Sequence, residues 1–162
     1  MKLLEKHLIM AVFLGLGLLA ARAEAITSRV GAADDLGVGV TVGQPFGVTA
    51  KYWLSSELAV DGAAGYHFNH NFDTHMDYLW HSFSSFYVSS GRLPFYIGVG
   101  GRVLLGDDSQ LGLRGPIGVS YLFPNDPIEL FAELAPVIKL TSGVGLDLDG
   151  MLGVRVYINY LK

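Results

Sequence analysis

Read at every second position, the last stretch of the chain separates cleanly into two sets. Leu146, Leu148, Gly150, Leu152, Val154, Val156, Ile158 and Tyr160 form one; Asp147, Asp149, Met151, Gly153, Arg155, Tyr157 and Asn159 form the other. Successive side chains of a strand point to opposite faces. One face is therefore apolar and the other carries charge. A run of about fifteen residues exceeds the usual strand of about five or six, and a tilted strand crossing a bilayer is the kind that needs such length.

The same alternation recurs upstream between turn signals. It predicts strands at 36–42, 46–54, 58–68, 76–89, 93–105, 111–123 and 128–140, with the closing strand at 146–160. The apolar set is placed outward and the other inward. The fourth strand carries a parity slip, because Phe83 opposes Tyr78, Trp80, Phe86 and Val88; a bulge near Ser82–Ser85 would account for it. Pro116 removes one ladder bond from the sixth. Pro124-Asn125-Asp126-Pro127 is a strong turn signal.

Eight strands of this kind predict an all-β fold, an antiparallel up-and-down transmembrane β-barrel occupying 36–162. With both termini periplasmic, the connections at 55–57, 89–92 and 124–127 become tight inner turns and the polar stretch at 69–75 the longest outer loop. Outward aromatics gather at the strand ends, as expected at bilayer edges: Tyr52, Phe86, Phe95, Tyr121, Phe123 and Tyr160 at the periplasmic side, with Tyr66, Phe68, Tyr78 and Trp80 flanking the outer loop. A soluble barrel of the lipocalin type would show the reverse pattern, with apolar residues inside. Its charged outer face is usually lysine-rich, whereas this chain has only Lys51, Lys139 and Lys162 beyond residue 25.

The N-terminus changes the picture of location. Lys2 and Lys6 precede an apolar run from Leu8 to Ala21, and Ala21-Arg22-Ala23 or Ala23-Glu24-Ala25 offers a cleavage site. This is the form of a secretory signal peptide over residues 1–25. A periplasmic lead-in follows at 26–35. Cleavage after Ala23 leaves eight basic against fourteen acidic residues, a net charge of −6, which excludes a basic nucleic-acid surface. With no cysteine, neither disulfides nor thiol chemistry is available.

The inward set supplies the candidate chemistry. Lys51, Asp61, Arg102, Arg114, Glu129, Glu133, Lys139, Asp147, Asp149 and Arg155, with Asp77, nearly balance in charge. An eight-stranded barrel is just wide enough for side chains to fill, so paired charges plugging the lumen are expected, and a narrow ion pathway is the alternative. His67, His70, His75 and His81 cluster with Asn69, Asn71, Asp73 and Asp77 around the outer loop; their spacing matches no metal motif, and no metal or cofactor is expected. His81 and Asp77 near Ser82, Ser84 and Ser85 supply the residue types of a lipid-modifying enzyme. The signal is weak, and a non-enzymatic role is expected.

Several segments carry a family likeness. Gly47-Val48-Thr49-Ala50-Lys51-Tyr52-Trp53-Leu54, Asp77-Tyr78-Leu79-Trp80-His81 and Phe95 through Arg102 begin it, and Leu113 through Val119 and Leu130 through Val137 continue it. In these the chain resembles an uncharacterised family of small outer-membrane β-barrel proteins from Gram-negative and spirochaetal bacteria, similar in fold to OmpX and the membrane domain of OmpA. The resemblance implies an outer-membrane location and brings no assigned activity. Gly153, Val154, Val156, Ile158 and Tyr160 also resemble the C-terminal assembly signal of such barrels, although here Leu161-Lys162 follow the final aromatic. The partners implied are outer-membrane lipid and the barrel-assembly machinery, with a monomer as the working state. The role expected is structural or surface-interacting, through loops at 69–75, 106–110 and 141–145.

Overall fold

A computed structural model describes residues 30–67, 71–86, 88–106, 109–141 and 143–160. The signal peptide, the first part of the lead-in, His70 and the tail Leu161-Lys162 lie outside the described residues. The strands are β1 Leu36–Gly43, β2 Phe46–Trp53, β3 Leu58–Tyr66, β4 Phe72–Ser82, β5 Phe95–Leu105, β6 Gln110–Arg114, β7 Ile117–Leu122, β8 Ile128–Lys139 and β9 Gly145–Tyr157, followed by a 3-10 turn, Ile158–Tyr160.

Every pairing is antiparallel and follows chain order except where β6 and β7 each pair with both β5 and β8, and β9 returns to pair with β1, Val38 opposite Val156 and Val42 opposite Leu152. The sheet thus closes into a ring. Closure leaves no row of unpaired backbone groups at an edge. The division between the two faces follows the alternation. Val38, Val48, Ile97, Val99, Leu113, Leu130, Leu134, Leu148 and Leu152 are exposed on the outside, while Lys51, Asp61, Arg102, Arg114, Glu129, Glu133 and Arg155 are buried inside.

Three strands depart from the sequence expectation. The fourth runs from Phe72 to Ser82 and not from Met76 to Ser89. Its first residues are already alternating, with Asp73 and His75 buried and Phe72 exposed, so the outer polar connection shrinks to 67–71. Phe83 needs no bulge, because it lies past the strand end and packs against an apolar cluster. Phe86 is exposed in the connection and is not a strand residue. The earlier start also moves Trp80 to the opposite end of the ring, beside Leu58 and Ile97, together with Tyr78.

The sixth strand is two pieces. β6 and β7 occupy one place in the ring, each pairing with β5 on one side and β8 on the other. The break falls at Gly115-Pro116, where proline has no N–H to donate. The last strand ends at Tyr157, and the 3-10 turn carries Tyr160 inward.

The end of the ring that holds the described N-terminal segment, called the base here, is filled. Val30, Trp53, Ala59, Leu122 and Tyr157 form a buried cluster against which Phe83 and Tyr160 pack. The longest connection, 83–94, also lies at this end, where tight turns were expected. The connections at the other end, the far mouth, are short.

Candidate functional site: the buried charge network

The interior above the apolar base is a stack of ionic groups. Alternation places them there: a residue inward on a strand repeats every second position, so Thr49, Lys51 and Trp53 line the wall from β2, and Asp73, His75, Asp77, Leu79 and His81 from β4.

The lowest layer centres on Glu129. Lys51 Nζ lies 2.8 Å from Glu129 Oε1, and the Tyr157 hydroxyl donates to Oε2 at 2.6 Å while accepting from Trp53 Nε1 at 2.8 Å. Lys51 also stands 2.9 Å from His81 Nε2. His81 Nδ1 lies 3.3 Å from the Glu57 carbonyl, which can only accept. Nδ1 therefore carries the proton, and Nε2 is left to accept from the ammonium. The Trp53 ring sits 4.5 Å from Lys51 Nζ as a second, softer contact.

Arg155 spans to the next layer. Its Nη2 donates to Asp61 Oδ2 at 2.7 Å and to Thr49 Oγ1 at 2.9 Å, and its guanidinium covers the Phe131 ring at 3.8 Å. Arg114 then bridges carboxylates from two strands. Its Nη2 donates to Glu133 Oε1, and its Nε is 3.0 Å from Asp77 Oδ2. Tyr96 donates to the other Glu133 oxygen at 2.9 Å. Nearest the far mouth, Arg102 grips Asp73 through Nε and Nη2, the fork geometry that suits a carboxylate. It also reaches Asp149 at 3.1 Å and Asp147 at 3.4 Å. Lys139 and Asp147, 3.7 Å apart, are partly exposed at the rim.

The structure therefore brings all ten of the expected interior charges into contact with at least one opposite charge. It adds Asp73, which the late start assigned to the fourth strand had left in a loop. Thr49, Tyr96 and Tyr157 also belong to the stack; their parity was readable, but a neutral hydroxyl announces no partner.

The serine grouping does not assemble. Ser82, Ser84 and Ser85 are near the surface and hydrogen-bond one another, whereas His81 points inward to Lys51. The loop histidines are likewise dispersed: His67 contacts Arg102 and Asp73, and His81 sits near the base.

Among the aromatics, Tyr52 is exposed and donates to Asp34 Oδ1 at 2.6 Å. Tyr78 with Trp80, and Tyr121 with Phe123, form edge-on pairs at 4.9 and 4.8 Å. Phe95 is half-buried at the base end of β5. Tyr160 corrects the expectation of an outward strand end. It is half-buried and donates to Asp35 Oδ2 at 3.0 Å. Ile158 shares its 3-10 turn, so of the expected assembly segment Gly153, Val154 and Val156 remain in the strand.

No protein-family model matches the sequence, and neither does any curated protein. Among solved structures, the chain is similar to the N-terminal β-barrel domain of Pseudomonas aeruginosa OprF. The TM-score is 0.52 at 16% identity, covering 77% of this chain and 98% of that domain. At that identity the likeness speaks to fold: the ring is a β-barrel.

Proposed function

We propose that the protein is a small outer-membrane β-barrel of eight staves, β6 and β7 together making one, whose interior is plugged by ion pairs and whose role is structural or surface-interacting rather than enzymatic. The observation that carries this is the inversion of the two faces. A soluble monomer rarely exposes an apolar patch beyond a few hundred Å². Here exposed Val, Leu and Ile side chains come from β1, β2, β5, β6, β7, β8 and β9 alike, while arginines and carboxylates are inside. Hydrocarbon is the solvent that fits such a surface. Aromatic pairs at the base end suit an interfacial girdle. In this reading the base faces the periplasm with both termini, residues 1–25 are removed, lipid surrounds a monomer, and the assembly machinery engages the closing strand.

A barrel of this kind stays folded in cold detergent and unfolds on heating. Recombinant protein refolded in detergent should therefore migrate at two positions on a gel, the faster one lost on boiling, and native protein should fractionate with outer membranes. A single mobility combined with recovery in the soluble periplasmic fraction would overturn the proposal.

A further inference from the structure

At mid-height in the barrel, three metal-ligating residues converge. His75 and Asp77 project from β4 two positions apart, hence to the same side, and Glu133 faces them from β8. One donor atom from each lies within 4.8 Å of the other two, and His75 Nε2 stands 3.7 Å from Asp77 Oδ2. Two ligands held about 2.1 Å from a tetrahedral zinc are roughly 3.4 Å apart, so small side-chain rotations close the set.

Two further observations point to a ligand. His75 is 5% exposed, yet neither ring nitrogen has a hydrogen-bond partner among the described residues; Asp77 Oδ1 has none either, while Oδ2 faces Arg114 Nε at 3.0 Å. Buried polar groups are nearly always satisfied, because an unmatched one forfeits the hydrogen bonds it made to water. The interior is also unbalanced. Among the described buried side chains above the base, Asp61, Asp73, Asp77, Glu129, Glu133 and Asp149 face only Lys51, Arg102, Arg114 and Arg155. With neutral histidines the excess is two negative charges, the charge of one divalent cation.

We propose that His75, Asp77 and Glu133 bind a divalent transition-metal ion inside the barrel. One imidazole and two carboxylates are a donor set that zinc accepts. Arg114 and Tyr96, already bonded to the carboxylates, would orient the ligands from outside the coordination shell. The apolar base is closed, so the ion enters through the far mouth or as the ring forms.

The test uses untagged protein refolded in detergent with and without zinc sulfate, desalted, and analysed for bound metal by mass spectrometry, with folding read by circular dichroism. The wild type is expected to retain one zinc per chain. His75→Asn and Glu133→Gln should bind at least about tenfold more weakly, and His67→Asn should bind as the wild type does. Glu133→Gln serves if His75→Asn fails to fold. A folded wild type without stoichiometric zinc overturns the proposal, with carboxylic protons then supplying the missing charge. Zinc lost in His67→Asn and kept in His75→Asn overturns it too. Folding in detergent is scored separately, so failure of the metal site leaves the barrel reading untouched.

Discussion

Gly39 shows how closely the first and last strands approach. A Cβ built there would sit 1.8 Å from the Val154 carbonyl oxygen, inside the backbone of the partner strand. Backbone cannot yield as a side-chain tip can. Gly39→Ala is therefore expected to weaken the β1–β9 seam by about 1–3 kcal/mol, read as a lower urea midpoint by tryptophan fluorescence. Arg155 illustrates the opposite kind of constraint, a buried charge held by Asp61, Thr49 and Glu129. Removing one partner of a buried pair strands the other, at about 3–5 kcal/mol. Arg155→Met should show a loss of that order in the same unfolding assay, and adding Asp61→Asn should recover part of it. A double variant that loses the sum of Arg155→Met and Asp61→Asn taken singly would mean that the pair is not coupled. At this scale the alternation was a good guide: it put Lys51, Asp61 and Arg155 on one face. It could not pair them, because partners such as Arg155 and Asp61 lie 94 residues apart.

Elements are bounded by events that alternation does not register. The fourth strand begins at Phe72 because Asp73 has an inward partner in Arg102 and Phe72 pairs with Tyr66 and Leu105, although a polar run reads as a loop. Pro116 was recognised as an obstacle, but only the pairing of both halves with β5 and β8 shows a break within one stave. The terminal segment follows the alternating pattern to Tyr160, yet its last turn bends back to close the base, where Asp35 also accepts from the Gly31 and Ala32 amides. Partial burial and the hydrogen bond to Asp35 push the Tyr160 hydroxyl up to about 12 from its ordinary 10.0. The folded state thus holds this proton more tightly than the unfolded chain. The contribution is complete below pH 10 and is lost as pH rises through 12. Wild-type stability should therefore fall more steeply over that window than that of Tyr160→Phe, which has no phenolic proton to lose. Parallel pH profiles of the urea midpoint would count against it.

Across the whole molecule, the question is whether the polar interior conducts. Ionic groups line the interior from Glu129 near the base to Arg102 near the far mouth, but Val30, Trp53, Leu122 and Tyr157 seal one end with apolar side chains. Planar-bilayer recordings of the wild type should show no discrete channel steps; regular steps would revive the ion-pathway alternative. The balance between sequence and structure is also clearest here. The period of two, the paucity of lysine and the spacing of turns determined by themselves an all-β chain with an apolar and a charged face, since side-chain direction in a strand is a local property. Which strands meet is not local. Closure of β9 on β1, the merging of β6 and β7 into one position, the apolar stopper at the base and the convergence of His75, Asp77 and Glu133 all depend on contacts distant along the chain. They arise only once the ring's diameter forces inward side chains from facing strands to share one narrow space.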